Sequence, residues 1–177
     1  MRSTLFALLL VFFSFGFSAA QSIPWQEDFS GLANGELPVG WTGDTTANWG
    51  AFESNNAGGD APEMVFWWEP VDSGVYELTG PSLNTTAFSE LSLRFKHRIR
   101  NFGDPGIYTL RVEAIADEER YLIAQWVNPD VVPAEEVSFP LSAAEHGVGA
   151  ADFRIVWVFD GPTDNITQWD IDDVALS

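Results

Sequence analysis

A period of two governs this chain. Phe153, Ile155, Trp157 and Phe159 alternate with Arg154, Val156 and Val158, so in an extended segment the aromatic set lines one side. The alternation returns in Leu91–Arg100: Leu91, Leu93, Phe95, His97 and Ile99 share one face, Ser92, Arg94, Lys96, Arg98 and Arg100 the other. It recurs in Glu63–Trp68, Ile107–Ala116, Tyr121–Val127 and Glu135–Leu141, with shorter runs at Pro24–Gly31, around Trp49 and Phe52, and at Val75–Leu78. Clusters of Gly, Pro, Asn and Asp separate these runs, and no long stretch carries a helical repeat. About nine strands at this spacing predict two packed antiparallel sheets. The turn at Asn101–Gly106 predicts that Leu91–Arg100 and Ile107–Ala116 pair as a hairpin with one wet face.

The last run, Trp169–Ser177, breaks its own phase. Trp169 and Ile171 share one parity, Val174 and Leu176 the other, so the apolar face switches at Asp172-Asp173. A β-bulge absorbs one extra residue in this way. Two carboxylates at a kink in a buried strand need a partner, and a bound cation is the simplest.

Composition narrows the setting. Arg2, the apolar run Leu5–Phe17 and Ser18-Ala19-Ala20 form the three parts of a cleaved secretory leader. Residues 1–20 are therefore expected to be a signal peptide and 21–177 a single β-sandwich domain. No later run is long enough to span a bilayer, so membrane insertion of the mature chain is not expected. Cysteine is absent, which removes disulfides and thiolate metal sites. With 26 acidic residues against 8 basic ones, binding to a phosphate backbone is disfavoured, and no nucleic acid is expected as a partner.

The order of several short motifs resembles the choice-of-anchor J and cleaved-adhesin family, jelly-roll domains of secreted bacterial proteins related to MAM domains. The resemblance runs over nearly the whole mature chain. It rests on EDFSG (Glu27–Gly31), LPVGWT (Leu37–Thr42), NWG (Asn48–Gly50), APEMVF (Ala61–Phe66) and LTGPSLN (Leu78–Asn84). It continues through LSLRFKHRI (Leu91–Ile99), FRIVWVFDG (Phe153–Gly161) and WDIDDVAL (Trp169–Leu176). It implies an all-β, two-sheet antiparallel jelly-roll β-sandwich, concanavalin A-like or galactose-binding-like, with first and last strands side by side. It also implies adhesion or carbohydrate contact, and a structural Ca2+ held by Glu27 or Asp28, by Glu63, and by Asp172. Relatives often place a Glu directly after the first-strand Phe; this chain has Ser30 there.

Calcium suits such a donor set, since it takes six to eight oxygens. Trp41, Trp49 and Trp67 are the candidates for a flat sugar platform; against that stands the usual place of Trp in a sandwich, the core. The basic row of Leu91–Arg100 is expected to be neutralised by carboxylates, Glu113 among them, rather than to receive an acidic partner. His97 shares the apolar parity and reads as a packed histidine. No nucleophile elbow, zinc-binding helix or Ser-His-acid set is visible, so no enzyme is expected. The leading expectation is a secreted, non-catalytic adhesion or carbohydrate-binding module with a structural calcium. Its partner would be a glycan or a cell-surface protein, and it would be extracellular or held non-covalently at the cell surface. The alternative is a structural or protein-interaction domain of a surface or matrix assembly.

Overall fold

A computed structural model describes residues 23–44, 48–103 and 106–177; the expected leader, 1–20, lies outside the described residues. Among the described residues, eleven strands form two antiparallel sheets. The six-stranded sheet runs β3 (Trp49–Phe52), β4 (Glu63–Trp67), β11 (Gln168–Leu176), β6 (Glu90–Arg100), β9 (Val132–Ser142), with β1 (Trp25–Glu27) also on β11. The five-stranded sheet runs β2 (Thr42–Gly43), β5 (Ser73–Thr79), β10 (Phe153–Pro162), β7 (Thr109–Ala116), β8 (Glu119–Val127). The all-β jelly-roll expectation holds.

The inward parities build the core. From β10 come Phe153, Ile155, Trp157 and Phe159, from β6 Leu93, Phe95 and Ile99, from β11 Trp169, Ile171, Val174 and Leu176, all essentially inaccessible. Trp41 stacks on Trp157 with centroids 5.4 Å apart, and Phe66 on Phe159 at 4.4 Å. Aromatic pairs of this kind add about 1 kcal/mol each beyond the area they bury. His97 is a packed histidine: its Nδ1 accepts from Trp169 Nε1 at 3.4 Å, and Nε2 lies 3.3 Å from Glu135.

The phase break in the last strand is a bulge. Asp172 pairs with Lys96 and Ala175 with Arg94, which leaves two residues on β11, Asp173 and Val174, against one on β6, Phe95, and Asp173 takes φ +47°. That backbone turns Val174 and Leu176 back into the core. The first and last strands also lie side by side as expected, since Trp25, Gln26 and Glu27 pair with Leu176, Ala175 and Val174.

One expectation fails. β6 and β7 are not a hairpin: β6 pairs with β11 and β9, and β7 with β10 and β8. The chain crosses between the sheets after Arg100. Alternation states which side of a strand is buried, and both strands bury a side, but it carries no information about which neighbour completes the ladder. Glu113 accordingly sits on the opposite sheet from the basic row.

Candidate functional site

The outer face of the six-stranded sheet divides into a roofed part and an open part. On β4 and β11 the outward residues are Glu63, Val65 and Trp67, and Gln168, Asp170 and Asp172. Outward groups of a sheet are ordinarily wet, yet Glu63, Asp170 and Asp172 are fully inaccessible and Val65 nearly so. The cover is the connection from β3 to β4, residues 53–62. Ser54 Oγ and the amides of Asn56 and Ala57 donate to the Glu63 carboxylate at 2.6, 2.8 and 2.7 Å. Lys96 Nζ donates to the Gly58 carbonyl at 3.1 Å, so the strap crosses β4 and β11 to reach β6. Gly59 rests on Asp172, where a Cβ would lie 1.9 Å from Oδ2.

In the next row, Arg98 Nε donates to Asp170 Oδ2 at 2.9 Å and Gln168 Nε2 to Asp170 Oδ1. Desolvation, reinforced by Glu63, pushes Asp170 up to about 6 despite the arginine. Asp172 Oδ1 accepts from the Asp173 amide at 2.8 Å, while its buried Oδ2 has no partner. Desolvation, with the charges of Asp173 and Glu63, raises it to about 7.

The expected calcium ligands are thus spread out. Asp172 and Glu63 feel each other's charge beneath the strap. Glu27 and Asp28 instead accept from the amides of Phe29 and Ser30, each at 3.0 Å. Those two line a neighbouring groove of about 290 Å³ with Lys96, Arg94, Glu136 and Asp173. Desolvation raises Glu27, and the hydrogen bonds from Ser30 lower Asp28. Among the described residues, no three acidic or histidine side chains converge as a metal cluster. The one feature that suits a hard cation is Asp172 Oδ2, a buried carboxylate oxygen without a partner, with Gly59 lying against it.

Beyond the strap the same face turns aromatic. Phe52 stacks on Trp67 (6.0 Å, 29°), Trp67 leans on Trp68 (6.3 Å, 44°), and Trp68 meets Phe102 edge-on (5.7 Å, 88°). Both tryptophans are partly exposed and Phe102 is 56% exposed. Of the three tryptophans singled out in the sequence, only Trp67 is displayed. Trp41 and Trp49 are a correction: at 6% and 4% exposure they pack in the core, Trp49 against Phe66 and Trp169. Their segments lie at the margins of the two sheets, where an inward indole closes the sandwich. Trp68, Phe52 and Phe102 were missed. The signal for Trp68 was Glu69-Pro70, since a residue next to proline marks a strand end and frees its neighbour from alternation.

The basic row is mostly neutralised, but by other partners than Glu113. Arg94 lies 3.9 Å from Glu136, Lys96 Nζ 2.6 Å from Asp173, and Arg98 holds Asp170. The hydrogen bond from Lys96 to Asp173 also raises the lysine. Arg100, exposed at the end of β6, makes no ion pair among the described residues.

A scan against protein-family models gives no match, and neither does a search of curated proteins. Solved structures do match. The K1 cleaved adhesin domain of Lys-gingipain from Porphyromonas gingivalis W83 aligns over 86% of this chain and 96% of its own, at 12% identity and TM-score 0.58. The CBM22-1 xylan-binding domain of Paenibacillus barcinonensis Xyn10C aligns over 90% and 96%, at 10% identity and TM-score 0.51. TmCBM61, solved with β-1,4-galactotriose, aligns over 77% and 86%, at 14% and 0.51. At these identities the likeness is one of architecture: the chain has the β-sandwich fold found in cleaved adhesin domains and carbohydrate-binding modules.

Proposed function

We propose that this protein is a secreted, non-catalytic carbohydrate-binding module of adhesin type, and that saccharide lies on the aromatic row of Phe52, Trp67, Trp68 and Phe102. The observation that carries the reading is that row: partly exposed indoles at the open end of a face otherwise made of ion pairs and strap. Indole faces match the apolar faces of pyranose rings, and the indole N–H adds a hydrogen-bond donor. The neighbours with this fold include a xylan-binding domain and a galactotriose complex, which supports the reading. The motif order supports placing the chain with the choice-of-anchor J and cleaved-adhesin domains. The leader-like 1–20 supports secretion; among the described residues no helix is long and apolar enough to cross a membrane.

Two placements favour binding over catalysis. Asp170 and Asp172, the acidic pair of the last strand, are both fully buried, whereas a glycosidase acid and base must flank the scissile bond. His97 is enclosed by Phe95, Trp126 and Trp169. The test is titration of a glycan panel followed by tryptophan fluorescence. Saccharide hits that vanish in Trp67→Ala, with its fold intact, are expected. A panel without hits, alongside self-assembly on calcium addition, sinks the reading in favour of a structural domain.

A structural Ca2+ belongs to the same proposal. Asp172 and Glu63 would hold it, together with strap carbonyls, and the ion would replace the missing partner of Asp172 Oδ2. An ion bound only in the folded state raises the melting temperature by mass action. Equal melting temperatures in excess calcium and excess chelator remove the ion from the account.

A further inference from the structure

We infer that the aromatic row reads a neutral glycan backbone carrying sparse uronate substituents, with Arg100 receiving the carboxylate. This rests on the carbohydrate-binding reading of the same face and adds the class of saccharide.

The register supplies the geometry. Gln168 on β11 pairs with Trp67 on one side and with Arg100 on the other. These three outward residues therefore form one row across three strands. Neighbouring strands lie about 4.8 Å apart, so the backbones of Trp67 and Arg100 are separated by about 10 Å. Between them Gln168 is nearly buried, its amide spent on Asp170. The indole and the guanidinium therefore flank a residue that offers a ligand little of its own, and stand as the two ends of the row. Phe102, two residues beyond Arg100, closes on Trp68 and continues the aromatic wall around the end.

Charge selects the ligand. Arg94, Lys96 and Arg98 are each committed to a carboxylate, while Arg100 has none among the described residues. A guanidinium forks onto a carboxylate with two parallel hydrogen bonds, which a hydroxyl cannot reproduce. A single arginine reads a single carboxylate. The chain as a whole carries a formal net charge of −18, and a field of that sign repels a dense polyanion. A polyuronate is thus disfavoured, and one acidic branch on a neutral chain is favoured. The row also twists, from 29° to 44° to 88° between successive rings, which suits a single soluble chain rather than a flat crystalline surface.

The experiment is calorimetric titration of the mature chain with three probes. These are a glucuronate-branched xylo-oligosaccharide, its unbranched counterpart and an oligogalacturonate. The branched probe is expected to bind about tenfold more tightly than the unbranched one, the size of one charge-assisted hydrogen-bonded contact. Arg100→Gln is expected to make the two equal, Arg100→Lys to restore part of the difference, and Trp67→Ala to abolish both. Thermal melts of each variant show that the fold is kept. Equal affinity of branched and unbranched probes for the unmodified chain overturns the inference while leaving the carbohydrate reading in place. The tightest binding to oligogalacturonate also overturns it. Absence of binding to all three, and to the wider panel, removes the carbohydrate reading itself.

Discussion

The two outer faces of the sandwich carry similar charges and use them differently. On the five-stranded sheet, Arg111 bridges Glu113 and Asp160, and Arg120 bridges Glu77 and Glu113, all at 2.7–2.9 Å. This lattice of long side chains flanks Val156 and Val158 on β10, which pair with Glu113 and Arg111 and are fully buried. Arg111 and Arg120 each hold two carboxylates and Arg154 holds Asp152, so no arginine of this face is without a counter-charge. On the six-stranded sheet the charges are sorted along the strands. One end is sealed by a strap over an unpaired carboxylate oxygen, with a buried ion pair in the row beside it; the other end is open, aromatic and cationic at Arg100. A face saturated with its own ion pairs stabilises the fold, whereas a face that leaves groups unmatched is equipped to bind.

The largest expected effect separates two arginines of the same type. Arg98→Ala should cost about 3 kcal/mol, because it leaves Asp170 buried without its counter-charge. Arg111→Ala, on the other face, should cost less than about 1 kcal/mol, since Asp160 reaches water and Glu113 keeps Arg120 as its counter-charge. Urea unfolding of both variants measures the gap; similar midpoints would mean that the buried pair is not distinct from the open lattice.

Next comes the strap. Gly59→Val places carbon where Asp172 Oδ2 already lies, and overpacking of this kind costs about 1–3 kcal/mol. Faster amide exchange at Asn56 and Ala57, whose N–H groups hold Glu63, should accompany the drop in melting temperature. Unchanged protection there breaks the account of the strap.

Acidity gives a smaller effect with a defined sign. Asp170 at about 6 and Asp172 at about 7 bind protons more tightly when folded than their ordinary value of 3.8 allows in the unfolded chain. Between about pH 4 and 7 the folded state therefore holds more protons, and these two groups stabilise it as pH falls. Their contribution is complete below the unfolded value and is lost as pH rises through 6 and 7. Asp152 on the other face, held low by its hydrogen bonds from Arg154, works in the opposite direction: its contribution is lost on acidification. In chelator, Asp172→Asn should flatten the melting-temperature profile between pH 5 and 8. A profile that keeps its slope in Asp172→Asn assigns the titration to another group.

The smallest effect concerns exposed apolar groups. Leu122→Ser on β8, half exposed on the lattice side, should change stability by less than about 0.5 kcal/mol and leave saccharide binding untouched. A binding loss there would move the site to the wrong face.

Much of this was legible before any coordinates. Period-two alternation marked the inward residues of β6, β10 and β11, and the parity switch at Asp172-Asp173 located the bulge. Alternation is local and each residue votes on it, so it survives without knowledge of neighbours. The β6–β7 pairing was misjudged because adjacency in sequence says nothing about the sheet in which a strand finds its partner. Trp41, Trp49 and Trp67 look alike as letters; only their position relative to a sheet edge separates a core indole from a displayed one.

By itself, then, the amino-acid order determined an all-β sandwich with an acidic surface, an aromatic core and a kinked last strand, because hydrophobic burial on a pleated backbone imposes a period that can be read along one chain. The tertiary structure decided what happens on the outer faces. That the 53–62 connection roofs Glu63 and Asp172, that Arg98 is spent on the buried Asp170, and that Arg100 shares a row with Gln168 and Trp67 all follow from contacts between segments that meet only in the folded sheet. Such contacts are set by strand order and register, and those are properties of the assembled sheet.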